Sequence, residues 1–334
     1  MKATLRIYFT LSMMACACLF ALTLQSQPAM HTLTNGCLTV KVMDPNAPDR
    51  YNTGVRFSPV ANVLQVAVDG RDYLFSPEAH DPVTENGGLA MEFDLGGKDG
   101  PQPVSFVAAD VGESFVKIGV GVLKKTTAKY EFYTQYPIVE RAVTHAEWTS
   151  TGAIFAQTCP GANDFAYDLG AKITLSGNTL RIRYTLKNTG RRAFSTEHYT
   201  HNYFLFAGQP VGPGYALHFE TPLPDDGVYD GARREGKTLH FDQVLPKAVN
   251  LVVPVFREGQ GDAWRSLTVV CTVTKQSIHV SNTFPVSRIA VHAASRYLCP
   301  EQFVLIRLAP GETAEWERSF TFHKNTASPV QDKS

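Results

Sequence analysis

The densest run of reactive side chains in the 334-residue sequence is Ser195-Thr-Glu-His-Tyr-Thr-His-Asn-Tyr-Phe204. In a β-strand, residues two apart share a face. Glu197, Tyr199, His201 and Tyr203 then point one way, and His198, Thr200, Asn202 and Phe204 the other. A carboxylate, an imidazole and two phenols on one face can bind a polar ligand and move its protons. The plainer alternatives are a solvated strand face or a histidine satisfied inside the core. His198 and His201 face opposite ways, so they cannot chelate one metal ion, and no metal site is expected.

A second segment, Arg296-Tyr-Leu-Cys-Pro-Glu-Gln-Phe303, precedes a predicted strand and the turn Ala309-Pro-Gly-Glu312. Glu301 lies beside a proline among apolar neighbours. Burial would raise its pKa toward the range of a general base; otherwise it is a loop-surface glutamate. In a third region, Gly54-Val-Arg-Phe-Ser-Pro59 and Asn86-Gly-Gly-Leu-Ala-Met-Glu-Phe93 place Arg56 and Glu92 among apolar residues. A buried guanidinium needs a carboxylate or ligand oxygens. A structural Arg56–Glu92 pair and a ligand contact both remain open. Gly119-Val-Gly121 followed by Lys124 lacks the spacing of a phosphate loop and reads as a glycine-containing strand.

The elements that must position these residues are strands. Val63-Leu-Gln-Val-Ala-Val68, Asp69-Gly70 and Tyr73-Leu-Phe75 form a hairpin signal, because both turn positions favour positive φ. Ser176-Gly177-Asn178 marks a second hairpin. Leu180 to Leu186 alternates apolar and polar residues, as a half-buried strand must. Trp316, Arg318, Phe320 and Phe322 fall on one face of a strand near the C-terminus. Tyr130, Phe132, Thr134 and Tyr136 are expected to do the same in a strand over 129–136. Helix signals are scarce. The pattern predicts an all-β protein of stacked antiparallel sheets. With no linker or repeat, residues 30–324 read as one domain, followed by a polar tail over 325–334.

Lys plus Arg and Asp plus Glu are each 31, so the formal net charge is zero, and hydrophobic residues make up 44%. That balance offers no footprint for nucleic acid or an anionic membrane, and it excludes a disordered chain. Lys2 and Arg6 precede an apolar stretch from Ile7 to Leu24 that ends at Gln25-Ser-Gln-Pro28. This layout predicts a signal peptide over 1–26, a periplasmic or secreted protein, and no stable membrane insertion after cleavage. An uncleaved anchor is the alternative, and a lipoprotein through Cys16 or Cys18 is another. Cys37, Cys159, Cys271 and Cys299 remain as buried free thiols or as disulfides whose pairing the sequence does not choose.

Taken in order, these motifs resemble the galactose-mutarotase-like superfamily, specifically the aldose 1-epimerases. His201-Asn-Tyr-Phe204 is similar to the family segment in which a histidine precedes a Tyr-Phe pair. Pro300-Glu301-Gln302, Leu308-Ala-Pro-Gly-Glu312 and Phe320-Thr-Phe322 resemble its closing segment. The resemblance implies a large antiparallel β-sandwich, the mutarotase-like supersandwich. It further implies an isomerase acting on a small-molecule sugar or glycan without a cofactor, with His201 as general acid and Glu301 as general base. Arg56, which matches an early substrate-contacting arginine, joins Glu92, Tyr199, Glu197 and Arg296 as candidate sugar contacts. The chain departs from the family where Asn86, not histidine, precedes Gly87-Gly88, leaving His80 as the nearest histidine. Asp242 is the candidate for the family's sugar-holding aspartate. Rival readings are a polysaccharide lyase, a hexose-phosphate epimerase and a non-catalytic carbohydrate-binding module.

Overall fold

The computed structural model describes residues 29–76, 80–96, 101–253 and 261–324. The expected signal peptide and polar tail lie outside them. The fold is a large antiparallel β-sandwich, as expected. One large sheet runs, in spatial order, through Met30–Thr34, Leu38–Met43, Val63–Val68, Leu89–Phe93, Phe194–Asn202, Tyr297–Leu308, Arg288–Ala294 and Val249–Val253. The short strand Arg71–Asp72 returns on Val63–Val68. The other large sheet has ten strands and carries Thr313–Lys324, Thr179–Asn188 and Phe165–Ser176 at its middle. A small third sheet joins Ser114–Lys117, Gly121–Lys124 and Ile138–Arg141.

Both hairpins occur as the turn residues demand. Asp69 and Gly70 adopt φ of 49° and 74°, and Gly177 adopts 54° between Phe165–Ser176 and Thr179–Asn188. In Thr179–Asn188, Leu180, Ile182, Tyr184 and Leu186 are buried, while Arg181, Arg183 and Lys187 are exposed. Trp316, Arg318, Phe320 and Phe322 all turn inward. Arg318 is tolerated there because it donates to Asn282 Oδ1 (2.9 Å) and Gln302 O (2.6 Å) and stacks over Phe284. One apolar cluster takes side chains from both large sheets, including Val66, Phe93, Tyr184 and Phe320. Helix is confined to Val104–Ala108 and the 3-10 turn Gly261–Trp264 among the described residues.

One expected strand is absent. Residues 129–136 form turns, with Thr134 N donating to Glu131 O at 3.0 Å. Tyr130 and Tyr136 stack at 5.7 Å because the chain folds back on itself, and Tyr136 Oη accepts the Glu131 N–H. Alternating aromatics satisfy this compact turn as well as they would a sheet face. Cys37, Cys159, Cys271 and Cys299 are all free thiols, the last three buried.

Candidate active site

The strand Phe194–Asn202 separates core from site as its alternation requires. On the inner face, His198 Nδ1 accepts the Trp316 indole N–H at 3.1 Å, and its ring packs between Phe93 and Tyr184. Burial lowers the His198 pKa well below its ordinary value, as befits a core histidine. The outer face carries Glu197, Tyr199, His201 and, just beyond the strand, Tyr203.

Register places their partners. Phe194–Asn202 pairs with Tyr297–Leu308 from Phe194↔Leu308 to His198↔Val304, and the isolated bridge Phe204↔Leu298 continues the same register. His201 therefore stands opposite Glu301. The ladder lapses between these two points, where Pro300 has no N–H to donate. Asn202 Nδ2 bridges the gap by donating to Pro300 O at 2.7 Å. Glu301 thus lies within a central strand, not in a loop ahead of one.

The facing pair is flanked by two small side chains. Ala90 is the partner of His201 on one neighbouring strand, and Ala290 is the partner of Glu301 on the other. The row Ala90, His201, Glu301, Ala290 thus carries its reactive groups at the centre, with only a methyl side chain at either end of the row. Gly88, whose φ is 71°, closes the early segment; a Cβ there would stand 2.0 Å from Val63 O.

His201 Nδ1 and Glu301 Oε1 are 3.2 Å apart. The contact is off the hydrogen-bond direction, so Nδ1 makes no well-aimed hydrogen bond within the protein. Both side chains are nearly buried, and burial works on both in the same sense. It pushes Glu301 up to about 8, against the opposing pull of Arg56. It holds His201 well below its ordinary range, with Arg56 and His292 adding to the effect. Each group alone favours its neutral form, so near neutral pH the pair holds one proton. Tyr203 stacks flat on the His201 ring at 4.2 Å, and Phe57 and His292 stand edge-on at 5.9 and 5.8 Å.

The adjacent row is Glu92, Tyr199, Phe303, Arg288. Arg56 Nε donates to Glu92 Oε2 at 2.9 Å and Nη2 to Tyr199 Oη at 3.2 Å, while the Tyr199 hydroxyl donates to the same carboxylate. Glu92 and Tyr199 hold the Arg56 charge firmly against the cost of burial. Its guanidinium lies between Phe57 and Phe132, 4.5 and 4.2 Å from the ring centres. Beneath, fully buried Lys117 reaches Glu92 Oε1 at 3.7 Å and donates to Asp94 O at 3.0 Å. Burial raises Asp94 to about 7.

His201, Glu301, Arg56, Glu92 and Tyr199 thus converge. Glu197 shares their face but is committed to Arg288, accepting from Nε and Nη2 at 2.9 and 2.8 Å, and to Ser287 Oγ at 3.0 Å. Arg296 stands exposed at the rim, its guanidinium 5.1 Å from the Phe75 ring centre. His80 lies apart, stacked on Tyr51 with Nε2 2.6 Å from Tyr51 O. Asp242 is exposed beyond the end of Thr238–Phe241 in the other sheet and binds Arg233 at 2.7 Å, so it has no place in this site. Lys117 and His292 carried no sequence signal that singled them out. His292 was reachable by alternation along Arg288–Ala294, where Ile289, Val291 and Ala293 turn inward.

The same fold occurs in solved structures. A Synechocystis sp. PCC 6803 protein aligns with a TM-score of 0.57 at 15% identity, over 90% of this chain and 97% of its own. A putative aldose 1-epimerase from Escherichia coli K12 aligns at 0.56 and 15%, over 88% and 99%. A galactose mutarotase-like protein from Lactobacillus casei aligns at 0.51 and 13%, over 88% and 100%. No family model and no curated protein matches the sequence.

Proposed function

We propose that the chain is an aldose 1-epimerase-like isomerase that interconverts sugar anomers by opening and reclosing the ring. The observation that carries this reading is the buried His201–Glu301 pair, 3.2 Å apart, with alanines as its cross-strand partners on both sides. Glu301 takes the proton from the anomeric hydroxyl. The C1–O5 bond breaks, its electron pair goes to O5, and His201 protonates O5 while C1 becomes the aldehyde carbon. Rotation about C1–C2 turns the other face of the carbonyl to O5. On reclosure O5 attacks C1 and its proton returns to His201, while Glu301 gives its proton to the carbonyl oxygen and is again a carboxylate. Acid–base groups of this kind typically contribute about 10²–10⁴-fold each. Burial favours neutral His201 beside protonated Glu301, and proton transfer within the pair yields the ionic form that the reaction uses.

Arg56 presents a guanidinium whose charge is balanced by Glu92, suiting it to hydrogen-bond neutral sugar hydroxyls. Arg288 is likewise balanced by Glu197. Arg233 and Arg234 are paired with acidic residues away from the site. This distribution favours a neutral sugar over a phosphosugar or uronate. A binding module would have no need of an acid–base pair in contact. Anomeric proton saturation transfer on equilibrated D-glucose and D-galactose tests the reading: exchange between α and β signals accelerates with the protein if it is correct and stays at the buffer rate if it is not.

A further inference from the structure

Beside the row of His201 and Glu301 lies another: Asn250, His292 and Cys299, with Tyr203 closing it. His292 Nδ1 stands 2.6 Å from Asn250 Oδ1, and Nε2 stands 3.2 Å from Tyr297 Oη. An amide oxygen only accepts, so the short contact fixes the Nδ1–H tautomer and leaves Nε2 as acceptor. The Tyr297 hydroxyl then donates to Nε2 and keeps its own lone pairs for another donor. Its ring is held edge-on to Tyr203 at 5.1 Å and tilted against Phe75 at 5.6 Å. Tyr203 in turn lies flat on His201. Burial and Arg56 keep His292 below its ordinary pKa, which preserves this neutral tautomer.

From this placement we propose that Asn250, His292 and Tyr297 form a hydrogen-bonded relay that accepts a non-anomeric hydroxyl of the sugar, with Tyr297 as the contacting and specificity-determining residue and His292 as its positioning residue. The inference rests on the aldose reading of the neighbouring pair. A ring hydroxyl donates to Tyr297 Oη, Tyr297 donates to His292, and His292 donates to Asn250, so Tyr297 and His292 each use one donor and one acceptor and Asn250 ends the chain as an acceptor. Such a chain recognises a hydroxyl at one ring position and loses its purpose when that hydroxyl is absent.

The test measures anomerisation and calorimetric binding of D-glucose, D-galactose and their 2-, 3-, 4- and 6-deoxy analogues by wild type, Tyr297→Phe and His292→Gln. The wild type is expected to disfavour one deoxy analogue. Tyr297→Phe, which keeps the packed ring, is expected to lower kcat/KM for the parent sugar about 10- to 100-fold, mainly through KM. It should leave the disfavoured analogue within about twofold of wild type, since that sugar never used the hydroxyl. If both variants weaken every sugar and analogue alike, the relay serves packing only and the proposal is wrong, while the aldose reading stands. If His292→Gln fails to fold, the Tyr297→Phe comparison decides alone. If wild type neither binds nor turns over any of these sugars, the aldose reading falls and the relay falls with it.

Discussion

His201 and Glu301 face each other across adjacent central strands, Nδ1 to Oε1 at 3.2 Å, at the point where Pro300 interrupts the ladder. A base and an acid that share one proton have macroscopic pKa values belonging to the pair. Glu301 sits at about 8 and His201 well below its ordinary value. The singly protonated pair is the working state. The expected kcat/KM profile is a bell: activity falls above about pH 8, where the last proton leaves, and on the acid side only well below the usual histidine range. Stopped-flow or polarimetric rates from pH 4 to 10 check this. An acid limb near the ordinary imidazole value would contradict the burial of His201.

The same burial makes stability depend on pH. The folded-state pKa of Glu301 is raised above its unfolded value of 4.5, to about 8. Its contribution is therefore fully present below about pH 4.5 and is lost as pH rises through about 8. Glu301→Gln removes the ionisation but keeps the shape. The difference in Tm between variant and wild type should move in the variant's favour from pH 5 to pH 9. A difference constant across that range would mean that Glu301 ionises in the fold as it does in water.

Glu92 has a structural duty alongside any sugar contact. It accepts from Arg56 and Tyr199 and lies 3.7 Å from Lys117, with no solvent exposure. Glu92→Gln leaves both cations without their shared countercharge, and breaking a buried pair costs about 3–5 kcal/mol. Urea unfolding should show a loss of that order. A loss below about 1 kcal/mol would show the network to be solvated or easily rearranged.

Much of this site could be read from residue order alone, for a physical reason. The strand period of two divides 195–204 into a core face and a reactive face, whatever the strand pairs with. Hence the separation of His198 from His201 was legible. Side-chain contact between His201 and Glu301 was not, because register between distant strands depends on turns and on the Pro300 gap. Their functional pairing came instead from the resemblance. The resemblance also brought Asp242 forward, but that residue belongs to an exposed ion pair in the other sheet. Lys117 was hidden because a lysine is rarely buried without a carboxylate, and Glu92 reaches it only through tertiary packing. The segment 129–136 misled because aromatic alternation suits a turn closed by stacked tyrosines as well as a strand.

The central claim is that His201 and Glu301 exchange protons with an aldose. Its most direct test is polarimetry of freshly dissolved α-D-glucose and α-D-galactose with wild type, Glu301→Gln and His201→Asn at equal concentration. The account predicts faster decay of rotation with wild type for at least one sugar, and a loss of about 10²-fold or more in each variant. Wild-type decay at the buffer rate, or variants as fast as wild type, would contradict it.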